Sequence, residues 1–331
     1  MRHCGMDVHL RSTTVETLDV DTGEVARRVL RTERETLRRW LSAEPPMRVV
    51  LEAGSSSHWV AETVEQLGHE VVVVDPRRTS AVAVAGGCKK TDALDASTLA
   101  WLSSKGALVP SYRSSPAMRD WRRLLTTRQR IVRSRGDLVR TVRSALAAQG
   151  IVLPIRRAAT FVARVRELPE ALPLAGLLQL IDAFDKQIAL ANREVLARAH
   201  ADPTVRRLMT VDGVGPLVAS AFRVVVEDAR RFHSGRQVAA YIGLTPVVHN
   251  SGSRERLGSI SKCGDKLLRT LLIEAALVLL NRTRKRSRLQ DWGWQVRARI
   301  GHRKAAVAVA RKLCAVLWAM WKRETEFNRM K

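Results

Sequence analysis

The first hundred residues read as strands and helices in alternation. HCGMDVHL (3–10) and STTVETLDV (12–20) have the look of strands, and Asp21-Thr22-Gly23 is a turn leading into a third, EVARRVLRT. ERETLRRWLSA (33–43) is patterned as a helix. MRVVLEAG (47–54) and HEVVVVDP (69–76) are short apolar runs of the kind that form buried strands. Between them SHWVAETVEQLG (57–68) is a helix closed by Gly68. TDALDASTLAWLSS (91–104) predicts a further helix with Thr91 as its N-cap. Three strands, helix, strand, helix, strand, helix is the order of an α/β domain with a mixed sheet.

The pattern then changes. Residues 116–150 predict one long helix in which Leu124, Ile131 and Leu138 repeat every seven positions, as do Leu125, Val132, Val139 and Leu146. Such a coiled-coil-like ridge would pair this chain with itself or with a partner helix, and Arg128 and Arg135 fall near its seam. Helical segments continue to about residue 200, interrupted by Pro154, Pro169 and Pro173. A third block runs from LMTVDGVGPLVASAF (208–222) to about residue 285, and residues 303–326 form a last basic helix carrying Trp318 and Trp321.

A chain of 331 residues, at roughly 100–200 residues per domain, predicts two or three domains. The pattern divides it at 1–110, 111–203 and 204–331. An apolar content of 46% supports packed cores. The four cysteines have neither metal-ligand nor disulfide spacing, which fits a reducing cytosol. There is no apolar leader and no run of about 18 apolar residues, so a cytoplasmic protein without a membrane partner is expected.

Charge changes the picture most. The formal net charge is +25, yet residues 1–110 hold 14 basic and 15 acidic side chains, while residues 111–331 hold 43 and 17. A polyanion partner, nucleic acid, is expected for the basic part, where arginines come in clusters. The near-neutral part keeps its acids in telling places. Asp92 and Asp95 stand three apart, a spacing that shares a helix face. Asp7 lies in the first strand, Glu52 ends a buried strand and Asp75 ends another. A buried strand end is a costly place for a carboxylate unless it coordinates something. Asp7, Glu52, Asp92 and Asp95 could together hold two Mg²⁺ ions, or Mn²⁺ in their place, of the kind that activate an attacking oxygen and stabilise a leaving one. The alternative is that each is an ordinary solvated or capping residue.

The spacing of those four acids, with the strings LEAG (51–54) and KTDALDA (90–96), resembles the DEDD transposases of the bacterial insertion sequence 110 family. GVGP (213–216) and GLTPVVHNSGSRERLGSISKCGDKLLRTLL (243–272) resemble that family's C-terminal transposase domain. The resemblance implies an RNase H-like N-terminal domain similar to Holliday-junction resolvases, followed by a mostly α-helical coiled-coil region and a transposase domain. It implies site-specific recombination of donor and target DNA directed by a structured non-coding RNA. The acidic tetrad then falls on Asp7, Glu52, Asp92 and Asp95, and a nucleophilic serine on Ser251 of the Ser251-Gly252 pair. Ser253 stands where the family often has a second glycine, and Cys263 where it often has a basic residue.

On its own terms HNSGSRERLGSISKCG (249–264) is a polar, glycine-punctuated stretch whose plainest reading is a turn region. As a nucleophile segment it would need a positive environment, and Arg254, Arg256, Lys262 and Lys266 are near enough in sequence to hold a phosphate. In VDGVGPLVASAF, Gly213 and Gly215 either allow the backbone to approach a phosphate or simply turn the chain between helices. Tyr241, in AAYIGLTP, has an apolar setting that favours a core role. The tryptophans at 292, 294, 318 and 321 suit a core more readily than base stacking.

The sequence therefore predicts a Mg²⁺-dependent recombinase acting as a dimer or tetramer. A junction-resolving endonuclease that uses water would employ the same four acids without Ser251, and a non-enzymatic binding protein would use neither.

Overall fold

A computed structural model describes residues 1–77, 79, 82, 95–154, 160–251, 254–282 and 286–330, and the backbone alone of residues 248–251, 254–257 and 282. The chain divides into two compact units, Met1–Ser114 and Ser115–Lys331.

The first unit is built on strands β1 (Arg2–Val8), β2 (Ser12–Asp19), β3 (Val25–Arg31), β4 (Arg48–Glu52) and β5 (Glu70–Val74). They form one mixed sheet in the order β3-β2-β1-β4-β5. β1 is antiparallel to β2 and parallel to β4, and β5 is parallel to β4. Helices α1 (Arg34–Ala43) and α2 (Ser57–Gln66) supply the connections expected from the sequence. The period of two assigns the sheet's faces. Cys4, Met6, Val49, Leu51 and Val73 join Leu37, Leu41, Val60 and Val64 of α1 and α2 in one core. Val50, Val72 and Val74 point the other way, onto Leu99 and Leu102 of α3 (Ala96–Ser104).

α3 begins later than the sequence predicts. The expected helix started after Thr91 and carried Asp92 and Asp95 on one face. Instead Asp95 is itself the N-cap, with extended backbone, and its Oδ1 accepts the Thr98 N–H at 2.8 Å. Aspartate competes for free backbone donors better at a helix start than inside one, and that preference places the boundary here. Thr91 and Asp92 lie outside the described residues.

In the second unit α4 (Pro116–Ala147) and α6 (Ala175–Ala201) run antiparallel, with the short α5 (Phe161–Arg166) near their far end. The heptad ridge of α4 thus finds its partner within the chain. Trp121 and Leu125 are buried at one end, Val142 and Leu146 at the other. The seam arginines are used in this pairing. Arg128 Nε donates to Asn192 Oδ1 at 2.6 Å, and Arg135 forks Asp185 at 2.5 and 3.0 Å. Burial lowers the pKa of Arg128, and Glu274 partly opposes that shift.

Helices α7 (Pro203–Leu208), α8 (Pro216–Val226), α9 (Gly235–Tyr241), α10 (Lys266–Arg282), α11 (Arg288–Ile300) and α12 (His302–Arg323) pack around Phe222 in a core that includes Leu272, Leu279, Leu313 and Leu317. The segment expected to be a turn region is a β-hairpin. β6 (Pro246–Ser251) pairs antiparallel with β7 (Arg254–Ile260). The polar side chains hid this pairing, because apolar alternation is the usual signal for strands and a two-stranded ribbon carries little of it.

Candidate active site

At the carboxyl ends of β1 and β4 the sheet brings Asp7 and Glu52 together. The parallel register ends at Met6 opposite Leu51, so the two acids leave their strands side by side. Asp7 shares a face with His3 and Gly5, the face that α3 covers. His3 Nδ1 hydrogen-bonds Ser103 Oγ at 2.8 Å, and a Cβ on Gly5 would lie 1.9 Å from the Ala96 carbonyl oxygen. Glycine at position 5 is therefore what lets α3 rest on β1. With Ala96 seated over Gly5 and Ser103 at His3, the start of α3, where Asp95 is the N-cap, lies towards the Asp7 end of β1. Ser97 Oγ donates to Glu16 Oε2 at 2.7 Å, and Glu16 is the β2 register partner of Gly5. Gly5 and Glu16, which hold the helix start in place, were not singled out in the sequence. A lone glycine inside a buried strand was the available signal for the first, and Glu16 carried none.

The electrostatics tie Glu52 to Asp7 and Asp75. The Glu52 carboxyl is held above its ordinary value, first by burial, then by the negative charges of Asp7 and of Asp75 at the end of β5. Its Oε1 is buried with no hydrogen-bond partner. Asp7 Oδ2 lies 3.1 Å from His9 Nε2. Asp75 Oδ1 accepts the Arg77 N–H at 3.0 Å, so part of that carboxylate is occupied locally. Among the described residues no group of three His, Cys, Asp or Glu side chains is arranged to hold a metal ion. Hard oxygen donors crowded at one strand edge, one of them buried and unsatisfied, nonetheless fit a divalent cation's demands.

In the second unit the backbone of Ser251 closes β6 opposite Arg254 of β7, and His249 stands opposite Arg256. The side chains of Ser251, Arg254 and Arg256, like Gly252 and Ser253, lie outside the described residues. The base of the ribbon is firmly tied. Ser261 N–H donates to the Thr245 carbonyl at 2.8 Å, and Lys262 N–H to that of Gly243 at 3.2 Å. Gly243 and Gly264 pack so closely on this turn that a Cβ on either would meet backbone atoms at 2.2 or 2.1 Å. Arg269, only 9% exposed, donates to the carbonyls of Ile242 and Cys263 at 2.9 and 3.0 Å. Lys262 and Lys266 are exposed, and Lys266 begins α10 beside Arg130 and Arg133 in a cavity of about 550 Å³.

Gly213 has a left-handed φ of +85°, and a Cβ there would lie 2.8 Å from the Ala275 carbonyl oxygen, so it seats the turn against α10. Gly215 is open and caps α8. Tyr241 is 45% exposed, edge-on to Phe232 and under Arg231, which corrects the core role expected of it. It ends α9, where its ring leaves the apolar face that its neighbours occupy. Trp318 donates to the Ala229 carbonyl and Trp321 packs on Phe222, both half-buried against the core, whereas Trp294 is 37% exposed, which corrects the core role expected of it.

Residues 4–149 match the transposase family model named for DEDD transposases of IS110, and residues 205–290 match that of the transposase IS116/IS110/IS902 family. The chain is 34% identical to the "Probable family 20 transposase" of Pseudomonas aeruginosa over 97% of each chain. It is 30% identical to the transposase for insertion sequence element IS1328 of Yersinia enterocolitica, over 90% of this chain and 91% of that one. With the transposase for insertion sequence element IS1111A of Coxiella burnetii the identity is 31%, over 85% of this chain and 79% of the relative. Two models matching separate parts, and relatives aligned along nearly the whole length, make this chain a member of the IS110/IS116 family of transposases.

Proposed function

We propose that this transposase cuts and rejoins DNA through a serine-linked intermediate, with an RNase H-like acidic site in the first unit and Ser251 as nucleophile. The observation that carries the reading is the meeting of Asp7 and Glu52 at one sheet corner, with Asp75 nearby and the buried Glu52 Oε1 short of a partner. The strand order β3-β2-β1-β4-β5 is compatible with the RNase H-like assignment. Asp7, Glu52, Asp92 and Asp95 would hold divalent cations, Mg²⁺ in the cell, which supply charge stabilisation to a phosphodiester under attack.

The remaining chemistry belongs to the chain. The Ser251 hydroxyl attacks phosphorus and gives up its proton, while the bond to the leaving sugar oxygen breaks and that oxygen is protonated. The phosphoserine keeps the phosphodiester energy for attack by a second strand's hydroxyl, which reverses the step. Arg254, Arg256, Lys262 and Lys266 would hold the phosphate and stabilise its charge. Gly215, at the start of α8, would contact backbone phosphate without reading sequence. A non-coding RNA from the element would select the DNA, and a dimer or tetramer would bring together the several cuts that strand exchange requires.

The test is strand transfer by purified protein co-expressed with element RNA, given junction DNA and Mg²⁺. Rejoined product that requires both the acids and Ser251 is expected. Cleavage that survives Ser251→Ala would instead identify a water-using, junction-resolving nuclease.

A further inference from the structure

Two cavities adjoin on the second unit, far along the chain from the hairpin. One, of about 490 Å³, lies between α11, α12 and the C-terminal tail, with Trp292, Met320 and Phe327 among its apolar walls and Arg288 and Arg323 among its lining cations. The other, of about 470 Å³, lies between α9 and α12 and carries Arg236 and Arg311. Trp292 and Lys312 line both. Each volume is in the roughly 300–1,000 Å³ range of pockets that enclose small organic groups.

The walls are closely packed and tied together. A Cβ on Gly235 would lie 2.5 Å from Ala315 Cα, so α9 sits directly on α12. The tail is tied down by Arg329, which forks Asp212 with two bonds of 2.8 Å, and by the Phe327 N–H to Thr210 Oγ1 at 3.0 Å. Trp292 is half-buried and packs on the core.

The charges are the second observation. Arg135, Arg198 and Arg223, elsewhere in this unit, are paired with carboxylates, and so is Arg329 on the rim of the first cavity. Arg236, Arg288, Arg311, Lys312 and Arg323 form no ion pair with any described residue, and Glu326 is the one acid lining either cavity. Unpaired cations around an aromatic-lined hollow are complementary to a chain that alternates phosphates with flat bases.

We propose that these paired cavities form a binding site for single-stranded nucleic acid, with an unstacked base against Trp292 and backbone phosphates on Lys312, Arg311 and Arg288. A duplex keeps its bases inside the stack and cannot present one to a recessed ring, so the site distinguishes strands by accessibility. The inference rests on the reading that this unit holds the nucleic acid. It adds a place and a form of substrate.

The experiment uses the full chain and fluorescein-labelled 12-mers, oligo-uridine, oligo-thymidine and a duplex of the same length, titrated across a salt series. The double variant Lys312→Glu, Arg311→Glu is expected to weaken single-strand binding at least tenfold and to lower the log–log salt slope by about 1.4, at roughly 0.7 per phosphate contact. Duplex binding should change no more than in Arg193→Glu, an exposed charge reversal on α6. Trp292→Leu should cost about tenfold, and Trp292→Phe should recover most of it, because the phenyl ring still stacks. Tighter binding of the uridine or the thymidine strand names RNA or DNA as the source, and either supports the site. A salt slope equal to that of Arg193→Glu, or equal losses for strand and duplex, overturns it. If the unaltered chain binds neither strand nor duplex, both this inference and the reading beneath it fail.

Discussion

In the first unit the half-buried Glu52 feels two other carboxylates, Asp7 and Asp75, and its buried Oε1 has no hydrogen bond. In the second, Asp185, Asn192 and Asp120 each meet an arginine along one helix pair, and exposed arginines still remain over. The difference assigns work. A carboxylate crowded by like charge suits a cation, and a surface with surplus arginine suits phosphate. Had the chain served only to coat nucleic acid, the first unit would have no reason to keep its acids together at a buried strand edge. Most of the charge excess would then be spread along the whole chain, and it is not.

The largest expected effect breaks the comparison at its acidic side. Asp7→Asn or Glu52→Gln should lower strand cleavage by about 10³-fold, the scale on which removal of transition-state charge stabilisation is felt. Binding of DNA should change less than twofold, because the phosphate contacts proposed above lie in the other unit. Cleavage gels and filter binding on the same preparations would check both halves. Equal losses of binding and cleavage would mean the division of labour is wrong.

Next comes the support beneath the site. Gly5→Ala sets a methyl carbon against the Ala96 carbonyl oxygen, so α3 must move. Overpacking against backbone should cost about 3 kcal/mol. Limited proteolysis should then cut the first unit while leaving Ser115–Lys331 protected.

Asp95 separates two roles at smaller cost. Asp95→Ala removes the N-cap and should destabilise by about 1 kcal/mol. Asp95→Asn keeps a capping oxygen but loses the charge, so its melting temperature should match the parent while cleavage falls at least tenfold. Full activity in Asp95→Asn would reduce this residue to a cap.

The smallest effect is in the pH dependence of stability. Because folding raises the Glu52 pKa above its ordinary 4.5, Glu52 favours the fold when protonated, and that contribution is lost as pH rises through the folded value. Metal-free Glu52→Gln should therefore melt slightly higher than the parent at pH 7, with the two converging below about pH 4.5. Added Mg²⁺ should raise the parent's melting temperature and leave the variant's unchanged. Thermal melts at both pH values would check this.

Much of the first unit was legible because buried parallel strands must be apolar and their acids stand out. MRVVLEAG and HEVVVVDP gave β4 and β5, and Glu52 followed as a buried strand end. The helix carrying the acidic pair was misplaced, since KTDALDAS satisfies helix spacing and only the local competition of Asp95 for backbone donors moves the boundary to Ala96. The hairpin at Ser251 was not legible. Its strands are polar, and its base is held by close glycine contacts and by Arg269, all of which depend on partners distant in the fold. The intrachain partner of the heptad ridge was equally hidden, because a seven-residue period tells which face pairs but not with what.

If the acidic corner works with a serine nucleophile, a covalent protein–DNA adduct must form. Protein with its co-expressed element RNA would be mixed with junction DNA and Mg²⁺, and any DNA-linked peptide mapped by mass spectrometry. An adduct on Ser251 that disappears in Asp7→Asn is expected. Cleaved DNA with no adduct, or an adduct on Ser253 or Tyr241, would contradict that expectation.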